Sequence, residues 1–134
     1  MSEYEVIEFS GFNSCYEDVL KDYRNSFPED FQAIKQTIKG QLEEYNIEPK
    51  QVTGDTYRIP MGERFRFKAL KTYMMIKEAQ SDIGRLVWIF DEELKNILLV
   101  EVYHKNDRTN HNEERIARAH NEYYEEYYEG DGNE

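Results

Sequence analysis

Residues 84–108 read GRLVWIFDEELKNILLVEVYHKNDR, and this stretch decides the fold. Residues 86–90 and 97–102 are nearly unbroken apolar runs with charged neighbours. Runs of this length and setting are typical of strands that are buried on both faces. The six residues between them, 91–96, are mostly charged and short enough for a hairpin connection. We therefore predict a β-hairpin at the centre of the core.

The polar ends of this hairpin are the first places to look for function. Arg85 stands at the start of its first strand, and Tyr103, His104 and Lys105 stand at the end of its second strand. On an extended strand, neighbouring side chains point to opposite faces. Either His104 or the pair of Tyr103 and Lys105 therefore faces a common site, and we favour the pair.

The rest of the chain supplies helices and further strands. The patterns predict a first strand over 4–9, helices beginning at the capping boxes 14–17 and 26–29, a loop over 52–60, a strand over 64–77, a polar loop over 78–84 and a last helix capped at 110–113. The predicted class is α+β, with an N-terminal helical hairpin and a C-terminal helix packed on a small, mainly antiparallel sheet. Residues 1–128 form one domain, and residues 129–134 are predicted to be a disordered acidic tail.

Length and composition restrict the setting of the protein. The 134 residues suit a single core, and no apolar run approaches the roughly 18 residues of a membrane helix. The N-terminus shows no signal-peptide pattern. The single cysteine, Cys15, has no internal disulfide partner, which favours a reducing cytoplasm. We therefore expect a cytoplasmic protein that does not associate with membranes.

The charge is negative overall but unevenly distributed. The net charge of −11 disfavours a general nucleic-acid binder, because phosphate contacts need lysine and arginine. Residues 1–49 hold 4 basic and 11 acidic side chains, and residues 122–134 hold none and 6. Residues 50–121 hold 13 basic and 11 acidic side chains. A local basic site is therefore compatible with an acidic protein.

Two motifs resemble the RelE/ParE-like toxins of bacterial type II toxin–antitoxin modules. They are GRLVWI at 84–89 and VEVYHKND at 100–107. Family members carry a similar glycine- and arginine-containing strand, and then a strand ending in Tyr or His with a basic and an acidic residue. The element order is also similar. The resemblance implies a RelE-like fold and an mRNA endonuclease that acts on the ribosome, inhibits translation and is held inactive by a cognate antitoxin. ParE-like members are implied to act on DNA gyrase instead.

The resemblance also implies site residues. The catalytic candidates are Arg85, Tyr103, His104 and Lys105. The RNA-binding candidates, expected in one basic groove with Arg85 and Lys105, are Lys68, Lys71 and Arg108. An RNase of this kind uses the 2′-OH of its substrate as nucleophile and needs no metal or cofactor. Arg85 suits stabilisation of charge on phosphorus, and His104 or Lys105 suits the general base. Tyr103 suits stacking or hydrogen bonding.

Four other interpretations stay open. Arg85 can simply pair with Asp82 or Glu101, as charged residues at strand ends often do. His111 and His120 are expected to be a neighbour of a helix cap and a helix-face residue. At the level of the whole protein, the −11 charge supports a non-catalytic RelE-fold module that binds proteins in a phage or mobile element. A gyrase-directed toxin is the weaker alternative.

Overall fold

A computed structural model of the chain describes residues 3–45 and 55–129. Its elements, in chain order, are β1 (Glu5–Glu8), α1 (Phe12–Asp22), α2 (Phe27–Tyr45), β2 (Thr56–Ile59), β3 (Lys68–Ile76), a 3-10 turn (Lys77–Ala79), β4 (Ser81–Asp91), β5 (Asn96–His104), α3 (Glu113–Tyr124) and a π-helical turn (Glu125–Glu129). The chain is thus mixed α+β with a mainly antiparallel sheet, as predicted. The predicted tail beyond Glu129 lies outside the described residues.

The five strands form one sheet in the order β1-β5-β4-β3-β2. The short β1 pairs in parallel with β5, and every other neighbouring pair is antiparallel. The predicted hairpin is confirmed as β4 and β5, which lie at the centre. All of β5 is buried, as is most of β4. A strand covered on both faces needs apolar side chains on both, which explains the nearly unbroken apolar runs.

The two faces of the sheet have separate cores. One core joins α1 and α2 to the sheet and includes Phe12, Phe31, Leu70, Leu86 and Trp88. The other lies beneath α3 and includes Ile59, Ala69, Ile89, Val100 and Ile116. Side chains that alternate along each strand feed the two cores in turn. We call these surfaces the α1/α2 face and the α3 face.

Three local predictions need correction. Residues 56–59 form edge strand β2 instead of part of a loop, because Thr56 and Thr72 pair across the strands with a 2.9 Å hydrogen bond between their hydroxyls. Helix α1 begins at Phe12, before the capping pattern at 14–17, and its N-cap residue is Gly11. Strand β4 begins at Ser81, inside the predicted polar loop. In the first case the tertiary partner decides the conformation of a segment too short to show a pattern.

The cap of α3 is confirmed in detail. Asn112 precedes the helix in extended conformation, and its side-chain oxygen accepts a hydrogen bond from the Arg115 N–H at 3.0 Å. Such a cap satisfies one of the free amides of the first turn. It also sets where α3 starts relative to the end of β5. None of the helices in the described ranges has the length and apolar character needed to cross a bilayer.

Gly84 brings β3 and β4 into unusually close contact. A Cβ atom at this position would stand 2.5 Å from Cγ of Met74 and 3.1 Å from its carbonyl oxygen. Any larger residue would therefore push the two strands or the methionine aside. The glycine before Arg85 thus has a packing role.

Candidate functional site

Three tyrosines and two arginines form a series on the α3 face, across strands β2 to β5 and the loop after β5. The register places Tyr73 of β3 opposite Arg85 of β4, and Arg85 opposite Tyr103 of β5. The Arg85 guanidinium lies 3.5 Å from the centre of the Tyr73 ring, and the Arg108 guanidinium lies 4.1 Å from that of Tyr103. Tyr57 of β2 continues the series, with its ring centre 5.2 Å from that of Tyr73. We call these five residues the tyrosine–arginine row.

Arg85 is held rigidly but keeps free hydrogen-bond donors. Its Nη1 donates to the backbone oxygens of Asp82 at 2.7 Å and Gly84 at 3.0 Å. The expected ion pairs with the Asp82 or Glu101 carboxylates are absent from the contacts that Arg85 makes in residues 3–45 and 55–129. Within those ranges only Nη1 donates, which leaves Nε and Nη2 for an anion. A fixed guanidinium with spare donors is well suited to binding phosphate.

Lys71 lies beside this row and contacts a histidine. It shares the α3 face of β3 with Tyr73, and its Nζ lies 3.2 Å from Nδ1 of His111. Burial lowers the pKa of the Lys71 ammonium, and repulsion from Arg85 lowers it further, against a smaller opposite effect of Glu101. Lys71 therefore gives up its proton more readily than an exposed lysine. His111, expected to be only a neighbour of the cap, belongs to this site.

Glu101 holds the loop after β5 against the start of α3. Its side chain is fully buried. One oxygen, Oε1, accepts from Arg108 Nη2 at 2.6 Å and from Arg115 Nη1 at 3.1 Å, and the other accepts from the Asn112 N–H at 2.8 Å. A buried carboxylate needs such partners, because its desolvation is otherwise very costly. We call Glu101, Arg108, Asn112 and Arg115 the carboxylate clamp.

Tyr103 lies buried beneath the Arg108 guanidinium. Its side chain is 2% exposed and its hydroxyl has no hydrogen-bond partner among the described residues. Burial, together with the nearby charge of Glu101, raises its pKa to about 12. A ring this deeply buried cannot stack on a substrate base. Its role in the site is to support the Arg108 guanidinium.

Three predicted residues do not join the site. His104 faces α1 and bonds through Nε2 to Asp22 Oδ2 at 2.8 Å, so it points away from Tyr103 as expected. Lys105 lies past the end of β5 in an exposed turn, and the strand alternation that would place it with Tyr103 no longer applies. Lys68 pairs with Phe90 at the far end of β3, and that position faces α1 and α2.

The single basic groove predicted from the sequence is therefore only partly present. The structure brings together Lys71, Arg85, Tyr103 and Arg108, and adds Tyr57, Tyr73, His111 and Arg115. Of the two added tyrosines, Tyr73 carries a visible signal, because it lies in a segment predicted to be a strand, whereas Tyr57 lies in a segment too short to show a pattern. The sequence gives no such signal for His111 and Arg115, because the loop before α3 brings His111 to the sheet and α3 brings Arg115.

Comparison of the chain with protein-family models, with curated proteins and with solved structures found no match. Among the described residues there is no group of three or more His, Cys, Asp or Glu side chains that could hold a metal ion.

Proposed function

We propose that the protein is a toxin of the RelE-like kind, a metal-independent endoribonuclease that cuts mRNA on the ribosome and so inhibits translation. The main support for this proposal is that Lys71, Arg85 and Arg108 lie close together on one face of the sheet. Arg85 also keeps hydrogen-bond donors free for an anion. In this proposal the protein works in the bacterial cytoplasm and is held inactive by a cognate antitoxin.

The chemistry follows from the positions of these groups. The 2′-OH of the RNA attacks the adjacent phosphorus, forms a 2′,3′-cyclic phosphate and displaces the 5′-oxygen of the next nucleotide. Arg85 stabilises the negative charge that builds up on the phosphoryl oxygens. Lys71 and His111 share a hydrogen bond, so one can accept the proton of the 2′-OH while the other gives a proton to the departing oxygen.

Local charge at the site favours RNA despite the acidity of the whole chain. Lys71, Arg85, Arg108 and Arg115 lie near the buried carboxylate of Glu101, and the exposed carboxylate of Glu113 lies 3.6 Å from His111. The cations of the site thus outnumber its carboxylates. The acidic excess of the sequence lies mainly in residues 1–49 and 122–134. At physiological salt, charges more than about 8 Å away are largely screened, so the local cations dominate for a bound phosphate.

A second candidate function is a non-catalytic module that binds a protein partner. The observation in its favour is that Glu101 already engages Arg108 and Arg115. On this reading the clamp only fixes the fold, and the exposed part of the row contacts acidic or aromatic side chains of a partner. A gyrase-directed toxin is a further alternative, which DNA damage without mRNA cleavage would indicate.

The test is induction of the chain in a bacterial host, with growth curves and mapping of mRNA ends by primer extension. We expect wild type to arrest growth, and Arg85→Ala and Lys71→Ala to relieve the arrest. Loss of the Arg85 donors should slow cleavage about a hundredfold or more. Arg58→Ala is a matched control, since Arg58 is exposed on β2 but faces the opposite side of the sheet. Normal growth with soluble wild-type protein would reject the proposal and favour the protein-binding module.

A further inference from the structure

We propose that Tyr57, backed by Tyr73, is a stacking subsite for one base of single-stranded RNA, next to the nucleotide whose phosphate binds Arg85. This inference rests on the proposed function and adds to it the element that reads the base. It starts from an exposed aromatic ring for which the fold itself gives no reason.

Tyr57 is one of the few large apolar side chains that the described part of the protein exposes. Its ring is 50% exposed, and the others are Met75 and Leu94. It stands on edge strand β2 opposite Lys71, on the α3 face. The ring is inclined 57° to that of Tyr73, so it stands beside its neighbour and does not lie flat on it. A flat ligand can therefore reach the exposed part of this residue's ring.

The neighbours of Tyr57 indicate which ligand this is. Along the row the order is Tyr57, Tyr73, Arg85, Tyr103 and Arg108, so aromatic rings stand beside two cations that are able to bind phosphate. Sites for single-stranded nucleic acid combine these two features, because phosphates need cations and unpaired bases stack on aromatic rings. A duplex keeps its bases inside and offers no such face to Tyr57.

The distances fit adjacent nucleotides. Tyr57 and Arg85 are separated by one strand, and they are also offset by two residues along the strands, because Tyr57 pairs with Lys71 whereas Arg85 pairs with Tyr73. Two strand spacings combined with this offset amount to about 12 Å between their backbones. Lys71, the direct neighbour of Tyr57 across β2 and β3, lies between them on the same face. A phosphate at Arg85 therefore places the next base over Tyr57, and the sugar between them within reach of Lys71.

The experiment is a cleavage assay on ribosomes programmed with mRNAs that differ in the bases around the cut. We expect Tyr57→Ala to cut on the order of tenfold more slowly and to lose the base preference of wild type at one position beside the cut. Tyr57→Phe keeps the ring and should retain both rate and preference. Leu94→Ala, which removes a similarly exposed apolar side chain from the β4–β5 turn, should behave like wild type.

Two other outcomes would overturn the subsite, and they are distinguishable. If wild type cuts and Arg85→Ala does not, while Tyr57→Ala keeps the rate and preference of wild type, the subsite is wrong and the proposed function stands. If folded wild-type protein does not cut at all, the proposed function fails and the subsite fails with it. Capture of a protein partner that depends on Tyr57 in that second case would assign the ring to the protein-binding module.

Discussion

Two buried carboxylates lie at opposite ends of α3, and the protein satisfies them in different ways. Asp91 is 3% exposed and accepts hydrogen bonds from the hydroxyls of Tyr123 and Tyr128 and from two backbone amides. Glu101 is also buried but accepts from Arg108 and Arg115. Neutral donors stabilise the first carboxylate, and cations stabilise the second.

This difference separates a structural end of the α3 face from the Glu101 end, where we propose that RNA binds and which we call the binding end. At the Asp91 end the donors are neutral and tie the last turns of the chain to the β4–β5 turn. At the Glu101 end, Arg108 and Arg115 already exceed the single carboxylate, and Lys71 and Arg85 add further positive charge. Among the described residues, Arg66 and Lys68 at the Asp91 end stand beside the three carboxylates of Asp91, Glu92 and Glu93. The Glu101 end therefore has the larger excess of cations for an anionic ligand.

The largest expected effect is at the clamp. Glu101→Ala leaves two partly buried arginines facing each other without their carboxylate, and we expect the free energy of unfolding to fall by about 3 kcal/mol. Urea denaturation measures this change. Glu113→Ala, which removes an exposed carboxylate at the start of the same helix, should change stability little. Equal stability of the two variants would contradict the view that the clamp holds α3 to the sheet.

Alkaline pH should affect the buried tyrosine of the binding end. Because burial raises the pKa of Tyr103 to about 12 from its ordinary value of 10, the unfolded chain loses this proton first. The contribution of Tyr103 to stability is therefore complete below pH 10 and is lost as the pH rises toward 12. The stability that wild type loses across this window through ionisation of Tyr103 should amount to about 2–3 kcal/mol. Denaturation curves across this window should fall less steeply for Tyr103→Phe than for wild type, and parallel curves would refute this assignment.

A smaller effect is expected at the neutral end. Asp91→Asn keeps an oxygen acceptor for Tyr123 but removes the charge that strengthens the hydrogen bonds, and should cost about 1–2 kcal/mol. Thermal unfolding measures it. RNA cleavage by the folded variant should be unchanged, because Asp91 lies at the far end of the sheet from Arg85. If the variant folds but no longer cleaves RNA, the Asp91 end also takes part in function, and the proposed division into a structural end and a binding end is wrong.

The smallest expected change in stability concerns two buried tyrosine hydroxyls, one at each end of the α3 face. The Tyr123 hydroxyl is bonded to both Asp91 and Asn96, whereas that of Tyr103 has no partner among the described residues. At neutral pH, Tyr123→Phe should destabilise the protein by about 1 kcal/mol, and Tyr103→Phe should change stability by less than about 0.5 kcal/mol. A larger loss for Tyr103→Phe would mean that its hydroxyl is satisfied by water.

The central hairpin could be predicted because its apolar runs reflect burial on both faces. Assignment of residues to faces was harder, because a bulge between β4 and β5 interrupts the alternation. Regular strand alternation from Tyr103 would place Leu99 and Ile97 on the α3 face, but both side chains pack in the core on the α1/α2 face. Lys68 and Lys71 differ by three positions, so they lie on opposite faces of β3, and local pattern alone could not say which face carries the site.

The missed half of the site comes from tertiary structure. Arg115 reaches Glu101 from a helix, and His111 reaches Lys71 across forty residues. No spacing of residues in the sequence predicts these contacts. Lys105 was expected at the site because strand alternation was extended one residue too far, past the end of β5 at His104.

The most direct test of the central claim is where RNA contacts the protein. Backbone amide chemical shifts would be followed by NMR at low salt while a short single-stranded 2′-O-methyl RNA, which has no free 2′-OH and cannot be cut, is added. If RNA binds at the Glu101 end, the amide shifts should be concentrated at Tyr57, Lys71, Tyr73, Arg85 and His111. The same titration of Arg85→Ala should give no such shifts. Shifts centred on the Asp91 end or on the α1/α2 face would contradict binding at the Glu101 end.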